Sequence, residues 1–379
     1  MAGFMRVQAM ALPNTDERSY TVVDAGMRPV KPVEAFLAHL QRTSYSPNTV
    51  KGYAHDLKDL FWWLDETEKD WRALGLQDIG EWVGWLRTPV KYRGKGVAVL
   101  PRAAPSLRER SLERKLAAVS AFYDFQRRHD ALVDLQMSRW VAGAGRGRFK
   151  PFLDHAMSGA VRREIRLRGV TRPAPKVIAR EDIARVLAAC GRHRDRLLIG
   201  TLFETGMRVG EVLGLRHSDL SISRQEVDIV PRENSNGARV KGQKARSVPV
   251  NAQLFTLYAD YIDEECGSVD SDYVFVNLWG GRRGHPVTYS GVRDLVLRLR
   301  VLTGLENFTP HQLRHTYATE LIRRGTDWAV VQRLMGHASI QTTLGIYGHL
   351  TAADARAALT DAGWFESAWP GTPTGEEGL

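Results

Sequence analysis

Three short strings in the C-terminal half of the chain carry side chains that could act together on one phosphate. Thr205-Gly206-Met207-Arg208-Val209-Gly210-Glu211 is the first, and Thr309-Pro310-His311-Gln312-Leu313-Arg314-His315 is the second. The third, Leu334-Met335-Gly336-His337, is followed by Tyr347 ten residues later. Arginine suits phosphate because its planar fork donates to two oxygens at once. A phenol, with a pKa of about 10, is a poor nucleophile at neutral pH. It becomes usable when guanidinium groups neutralise the phosphate it attacks and a histidine accepts its proton. Together the strings fit covalent attack on a phosphodiester without a metal. Singly, each has an ordinary explanation: an intrahelical ion pair, a basic helix start, a packed tyrosine.

The local sequence says how these groups would be held. Thr309 reads as a helix N-cap, with Pro310 in the first helical position and Gln312 completing a capping box. His311 then lies in the first turn, where free N–H groups attract an anion, and Arg314 shares its face one turn on. Gly325 reads as the terminator of that helix. Thr205-Gly206 reads as a break between helices predicted at 193–204 and 207–215, the second carrying Arg208 and Glu211. Glu211 could hold the Arg208 fork in place. Gly336-His337 ends a further short helix, and Ser339 can cap the next, which carries Thr342, Thr343 and Tyr347.

Strand-like segments at 226–230 and 247–250 flank the run from Asn234 to Arg246, which contains Lys241 and Lys244. A hairpin with a lysine at its tip can enter a DNA groove. Its ammonium can also protonate a departing alkoxide if nearby positive charge lowers its pKa. Elsewhere in this half, a helix is predicted at 180–190, helices from about 251, and a short strand at Tyr273-Val274-Phe275-Val276. His311 and His315 stand four apart, as zinc ligands can. No HExxH accompanies them, and Arg314 between them would repel a cation, so no metal and no cofactor are expected.

The N-terminal third is helical in pattern. Ser46-Pro47-Asn48-Thr49 is a helix start, followed by Val50, Tyr53, Leu57, Leu60, Phe61 and Leu64 on one face. Thr49, Lys51, His55 and Lys58 fall on the other side. A helix near Ile79 to Leu86 carries Trp82 and Val83. Another, capped by Ser106 or Ser111, buries Leu112, Leu116, Val119, Phe122 and Tyr123 and leaves Arg108, Arg110, Arg114 and Lys115 elsewhere. Between them, Arg87, Lys91, Arg93, Lys95 and Arg102 lie among Gly and Pro in a basic loop. Thr49, Lys51, His55, Arg114, Lys115 and, from the hairpin, Lys244 are the candidate DNA contacts.

With Lys+Arg 53 against Asp+Glu 43, the chain carries +10, a balance that favours a polyanionic partner. Two widely separated cysteines, Cys190 and Cys266, give no disulfide framework or zinc knuckle and fit a reducing cytoplasm. No apolar run approaches the roughly 20 residues of a membrane span, and the first residues lack a secretory core. The expected organisation is an N-terminal appendage at 1–30 with a possible strand at Tyr20-Thr21-Val22-Val23, and a helical domain at 31–129. A Gly/Pro-rich basic linker, long enough to hold a helix, follows at 130–177. The catalytic domain occupies 178–365 and a polar tail 366–379. Two domains on a basic linker could close around a duplex as a C-shaped clamp.

The chain resembles the tyrosine recombinases, the phage-integrase class of site-specific DNA recombinases. TGMRVGE resembles the family's first arginine box, KGQKARSVPV its hairpin lysine segment, HQLRHTYAT its HxxR box, and LMGHASIQTTLGIYGHL its final histidine and tyrosine box. SPNTVKGYAHDL resembles part of the helical core-binding domain. The resemblance implies a mainly α fold, with a small antiparallel sheet in an α+β catalytic domain and an all-helical N-terminal domain. It implies that Arg208 and Arg314 clamp the scissile phosphate, Lys241 protonates the leaving 5′-hydroxyl, and His311 assists proton transfer. His337 would bond the phosphate, Glu211 would take the acidic supporting position, and Tyr347 would form a 3′-phosphotyrosyl link. His315 occupies a common noncatalytic position.

Exchange of two strands at each of two sites calls for four protomers on double-stranded DNA, and the family pattern implies that 351–362 contacts a neighbouring subunit. The expected function is that of a mobile-element integrase or transposase in the bacterial cytoplasm. Type IB topoisomerase-like relaxation, a chromosome-resolving recombinase and a catalytically silent DNA-binding regulator are the alternatives.

Overall fold

The computed structural model describes residues 5–11, 18–89, 93, 107, 109–130, 132–142, 159–163, 165, 176–242 and 244–337. They fall into two compact units, Met1–Arg172 and Pro173–Leu379. Tyr347, Ser339, Thr342, Thr343, the segments 351–362 and 366–379, and most of the basic loop and linker lie outside the described residues.

The first unit is built on four helices: α1 (Lys31–Arg42), α2 (Pro47–Thr67), α3 (Leu76–Arg87) and α4 (Glu109–Gln126). Ser46 caps α2 as its sequence predicts, its Oγ accepting the Thr49 N–H at 3.2 Å. The predicted apolar faces of α2, α3 and α4 meet in one core around Trp82, Phe122 and Tyr123. Ser111 is not the cap of α4, because it lies inside that helix; Ser106 lies outside the described residues. The first 30 residues do more than append. Strands β1 (Arg6–Ala11) and β2 (Arg18–Val23) pair antiparallel, from Arg6 against Val23 to Ala11 against Arg18; Val22 of β2 and Met5, just before β1, join the helical core. Most of the expected linker at 130–177, with the room it has for a helix, lies outside the described residues; its described part adds Val133, Leu135 and Met137 to the helical core and includes an antiparallel pair. Strands β3 (Ser138–Ala142) and β4 (Gly159–Arg163) form it.

The second unit packs α5 (Arg180–Ala188), α6 (His193–Thr205), the single-turn α7 (Val209–Val212), α8 (Ala252–Tyr261), α9 (Tyr289–Thr303), α10 (Pro310–Arg323) and α11 (Trp328–Met335). Its three-stranded antiparallel sheet has the order β5 (Leu220–Ser221), β6 (Glu226–Ile229), β7 (Arg246–Pro249). Val227, Ile229 and Val248 face the core at alternating positions, as a sheet with one buried face requires. The predicted strand at 273–276 is reduced to two isolated bridges, Arg216 with Tyr273 and Val276 with Pro286. Val274, Phe275 and Val276 are nonetheless buried, so the apolar run marks core rather than sheet. Helix α6 is buried on most sides, and α8 and α10 pack along it.

Charged residues also enter the first unit's interior. Lys115 lies at i+3 from Leu112 and i−4 from Val119, on the apolar face of α4. It is only 5% exposed, and its ammonium donates to Asp56 Oδ1 at 3.1 Å and Asp59 Oδ2 at 2.6 Å. Lys115 is therefore withdrawn from the DNA-facing surface on which it was expected; it ties α4 to α2. Removing one partner of such a buried pair leaves the other charge uncompensated. Lys115→Ala should lower unfolding stability by about 3–5 kcal/mol in urea titration. A stable variant with weakened duplex binding would instead return Lys115 to the surface role.

Candidate active site

The site is assembled from helix ends. Helix α6 stops at Gly206, whose φ of +59° is left-handed, and α11 stops at Gly336, also at +59°. Such ends expose carbonyls that no helical N–H satisfies. Here arginines take them up. Arg314, on the first turns of α10 and only 3% exposed, donates Nη1 to Gly206 O at 2.6 Å and Nη2 to Met335 O. Arg208 Nη2 reaches Gly336 O at 3.4 Å. Both glycines are held to their identity by neighbours as well as by φ. A Cβ on Gly206 would collide with the Tyr317 ring, and one on Gly336 would come 2.7 Å from Arg246 Nη1.

Glu211 joins two arginines. Arg208 is the N-cap of α7 and Glu211 its third residue, so the carboxylate reaches back to accept the Arg208 N–H at 2.9 Å. Its other oxygen accepts Arg208 Nη1 at 2.9 Å. From the far side, Arg246 donates Nη2 to Oε2 at 2.7 Å and Nη1 to Oε1 at 3.3 Å, and its Nε to Leu334 O at 2.8 Å. Burial would raise the Glu211 carboxyl. The hydrogen bond and charge of Arg246, with the Arg208 N–H and guanidinium, outweigh it and hold the group below the usual carboxylate range.

Arg246 was not singled out from the sequence. Its signal was there: it precedes Val248 by two residues in β7 and so shares that strand's inward face.

Three imidazoles adjoin the arginines. His311 and His315 stack edge to face on α10 with ring centroids 4.3 Å apart. The capping box that places His311 forms through Gln312 Oε1, which accepts the Thr309 N–H at 2.8 Å. Desolvation, then the charges of Arg314 and Arg208, lower the His311 pKa. Burial, then His311 and Arg314, push His315 down to about 4. Burial, then Arg314, Arg208, Arg246 and His315, push His337 down to about 4 as well. At neutral pH the site thus presents uncharged imidazoles beside guanidinium cations: proton acceptors and N–H donors next to an anion-binding centre.

Of the predicted catalytic residues, Arg208, Glu211, His311, Arg314 and His337 converge. Lys241 and Lys244 are exposed on the segment joining β6 to β7, and Gly242 beside Lys241 has a φ of +86°. Tyr347 lies outside the described residues. In the first unit, Lys51 and His55 are exposed one turn apart on α2, Lys51 Nζ lying 5.4 Å from the Tyr20 ring centroid. Arg114 pairs with Asp56 yet keeps 57% of its side chain exposed, and lies over Gly52 beside Lys51. Thr49 is half-buried, its hydroxyl 2.8 Å from Ser46 Oγ within the cap. Among the described residues no cluster of His, Cys, Asp and Glu could hold a metal, and no helix is long and apolar enough to cross a membrane.

Comparison with known proteins gives the chain's relatives and its fold neighbours. Residues 176–354 match the model of the phage integrase family, and 33–130 match the phage integrase N-terminal SAM-like domain. Transposase A from transposon Tn554 of Staphylococcus aureus is 34% identical over 352 residues, covering 92% of this chain and 96% of its own. Tyrosine recombinase XerC of Oceanobacillus iheyensis is 27% identical over 84% of this chain and 91% of its own. Among solved structures, the Tn1549 transposon integrase in complex with a circular intermediate DNA superposes with a TM-score of 0.56 at 18% identity. That match covers 87% of this chain and 99% of the other. XerH bound to a palindromic difH substrate superposes at 0.55 with 21% identity, covering 85% and 81%. The fold is shared throughout.

The histidines make stability depend on pH. Their folded values of about 4 lie below the ordinary 6.5, so the unfolded chain binds more protons between those limits. Their contribution is complete above about pH 6.5 and is lost as pH falls toward 4. Urea midpoints should therefore drop across this window, and His337→Gln should flatten the slope; an unchanged slope would contradict the assigned environment.

Proposed function

The chain belongs to the phage integrase family of tyrosine recombinases, enzymes that cut and rejoin DNA, and on that premise we propose that it is the site-specific recombinase of a mobile element. The observation that carries the chemistry is the gathering of Arg208, Arg314, His311 and His337, with the Glu211 carboxylate holding Arg208. Arg208 and Arg314 neutralise the scissile phosphate and stabilise the added charge of the transition state. The Tyr347 oxygen attacks phosphorus while His311, neutral at pH 7, accepts the phenol proton. The bond from phosphorus to the 5′-oxygen breaks, and Lys241 delivers a proton to that oxygen. His337 donates a hydrogen bond to the phosphate. The 3′-phosphotyrosyl link keeps the phosphodiester's energy, so a new 5′-hydroxyl rejoins the strand by the reverse steps, without ATP, metal or cofactor.

The mobile-element reading is supported by the relation to Transposase A, which is more similar than XerC and spans more of both chains. A chromosome-resolving role is the second reading, on the strength of the XerC likeness; relaxation of the type IB topoisomerase kind would use the same chemistry without synapsis. We assign the exposed Lys51, His55 and Arg114 of the first unit, with Thr49 and Lys244, to duplex contacts. Exchange at two sites uses four copies of the chain on double-stranded DNA in the bacterial cytoplasm, with 351–362 docking on a neighbouring copy.

A nicked suicide duplex bearing the element's own ends should trap the full-length protein as a covalent adduct. Tyr347→Phe should abolish the adduct while leaving duplex binding in place. Binding without any adduct by the unaltered protein would sink the proposal. Joined products that connect two duplexes separate recombination from relaxation.

A further inference from the structure

Residues 230–245 connect β6 to β7 and carry Lys241. Left to itself, a connection of this length would wander, and its ammonium would meet a phosphate only rarely. Here the chain is fastened partway. Asn236 Nδ2 donates to Leu213 O at 3.0 Å and to Val287 O at 2.8 Å, while its Oδ1 accepts the Ala238 N–H at 3.0 Å. One amide thus staples together the end of the arginine-box turn, the residue leading into α9, and the segment approaching Lys241. Both amide protons and the oxygen are used, which fixes which end is nitrogen. Asn234 reinforces the hold: its Nδ2 donates to Ala238 O at 2.9 Å, and its Oδ1 accepts Arg216 Nη2 at 3.0 Å. Gly237, at φ +73°, makes the turn between them, and Ala238 is fully buried.

Beyond Ala238 the chain crosses the arginine box itself. Arg239 O lies 3.0 Å from where a Cβ on Gly210 would be, so the absence of a side chain at Gly210 admits it. At the other end, Arg246 is bound to Glu211. The free span therefore shrinks from 230–245 to 239–245, with both ends on the box that holds Arg208. Lys241 is three residues past Ala238, a reach of about 10 Å at roughly 3.3–3.6 Å per residue.

We infer that Asn236 is a positioning residue for the leaving-group acid, confining Lys241 to the neighbourhood of the arginine-bound phosphate. The inference rests on Lys241 being that acid. Cutting the staple lengthens the tether and lets the ammonium stray from the geometry that proton transfer needs. Asn236→Asp is the sharpest change. It keeps the shape and the bond from Ala238, but turns a carboxylate oxygen toward the Leu213 and Val287 carbonyls.

The test is single-turnover cleavage by the full chain on two suicide duplexes, one ordinary and one with sulfur replacing the bridging 5′-oxygen. In the second, the phosphorus–sulfur bond breaks and a thiolate leaves, which needs no proton because a thiol's pKa is only about 8.5. Asn236→Asp and Asn236→Ala should cleave the ordinary duplex roughly 10–100-fold more slowly. On the sulfur duplex they should match the unaltered protein, as should Lys241→Ala. Equal slowing of the Asn236 variants on both duplexes, from misfolding or any other cause, would overturn the inference, as would full speed on the ordinary one. If Lys241→Ala itself is not rescued by sulfur, the assignment of Lys241 fails first, and that result is separately readable.

Discussion

A carboxylate with no exposed surface, Glu211, lies between two guanidinium groups, and the reactive arrangement depends on it. Burying an ionised carboxyl is costly unless charges and hydrogen bonds compensate. Compensation here comes from two chain segments: the Arg208 guanidinium and backbone N–H at the start of α7, and Arg246 from β7. Arg246 carries the connection onward to Leu334 O, at the end of the helix that leads to His337. One anion thereby fixes the orientation of a phosphate-binding cation and joins the sheet to the last helices of the described unit.

The second device is the use of terminated helices. Gly206 and Gly336 end α6 and α11 in the left-handed conformation, which leaves carbonyl oxygens directed into the site. Arg314 accepts that invitation from both, through Gly206 O and Met335 O. A guanidinium carries five donors in a rigid fork, so it can be anchored by some and present others to a ligand. The negative ends of the helices also favour cations there. Burial, with the charge of those cations, keeps the neighbouring histidines neutral, which makes them proton acceptors at physiological pH rather than further charges.

Much of this was legible in the sequence because local rules governed it. Ser46 with Pro47 announced α2, Thr309 with Pro310 and Gln312 announced α10, and Gly206 and Gly336 announced where helices stop. Such signals depend on residues within a turn of one another. The failures came where distant segments decided the outcome. Lys115 looked like a surface cation until its place on the apolar face of α4 met Asp56 and Asp59 from α2. Arg246 looked like one more charge in a basic run until its inward position in β7 set it against Glu211. Tyr273 to Val276 had strand composition but found only single bridging partners. The segment before Lys241 read as a loose hairpin because nothing in its sequence says that Asn236 meets Leu213 and Val287.

The most direct test of the central role of the Glu211 carboxylate is the rate of covalent adduct formation by Glu211→Gln, measured beside its duplex affinity and its melting temperature. Glutamine keeps the shape but sets an amide N–H toward a guanidinium. The account predicts adduct formation slowed by about 100-fold, the scale of losing one well-placed electrostatic group, with affinity changed only a few-fold in protein that remains folded. Adduct formation at the unaltered rate would contradict it.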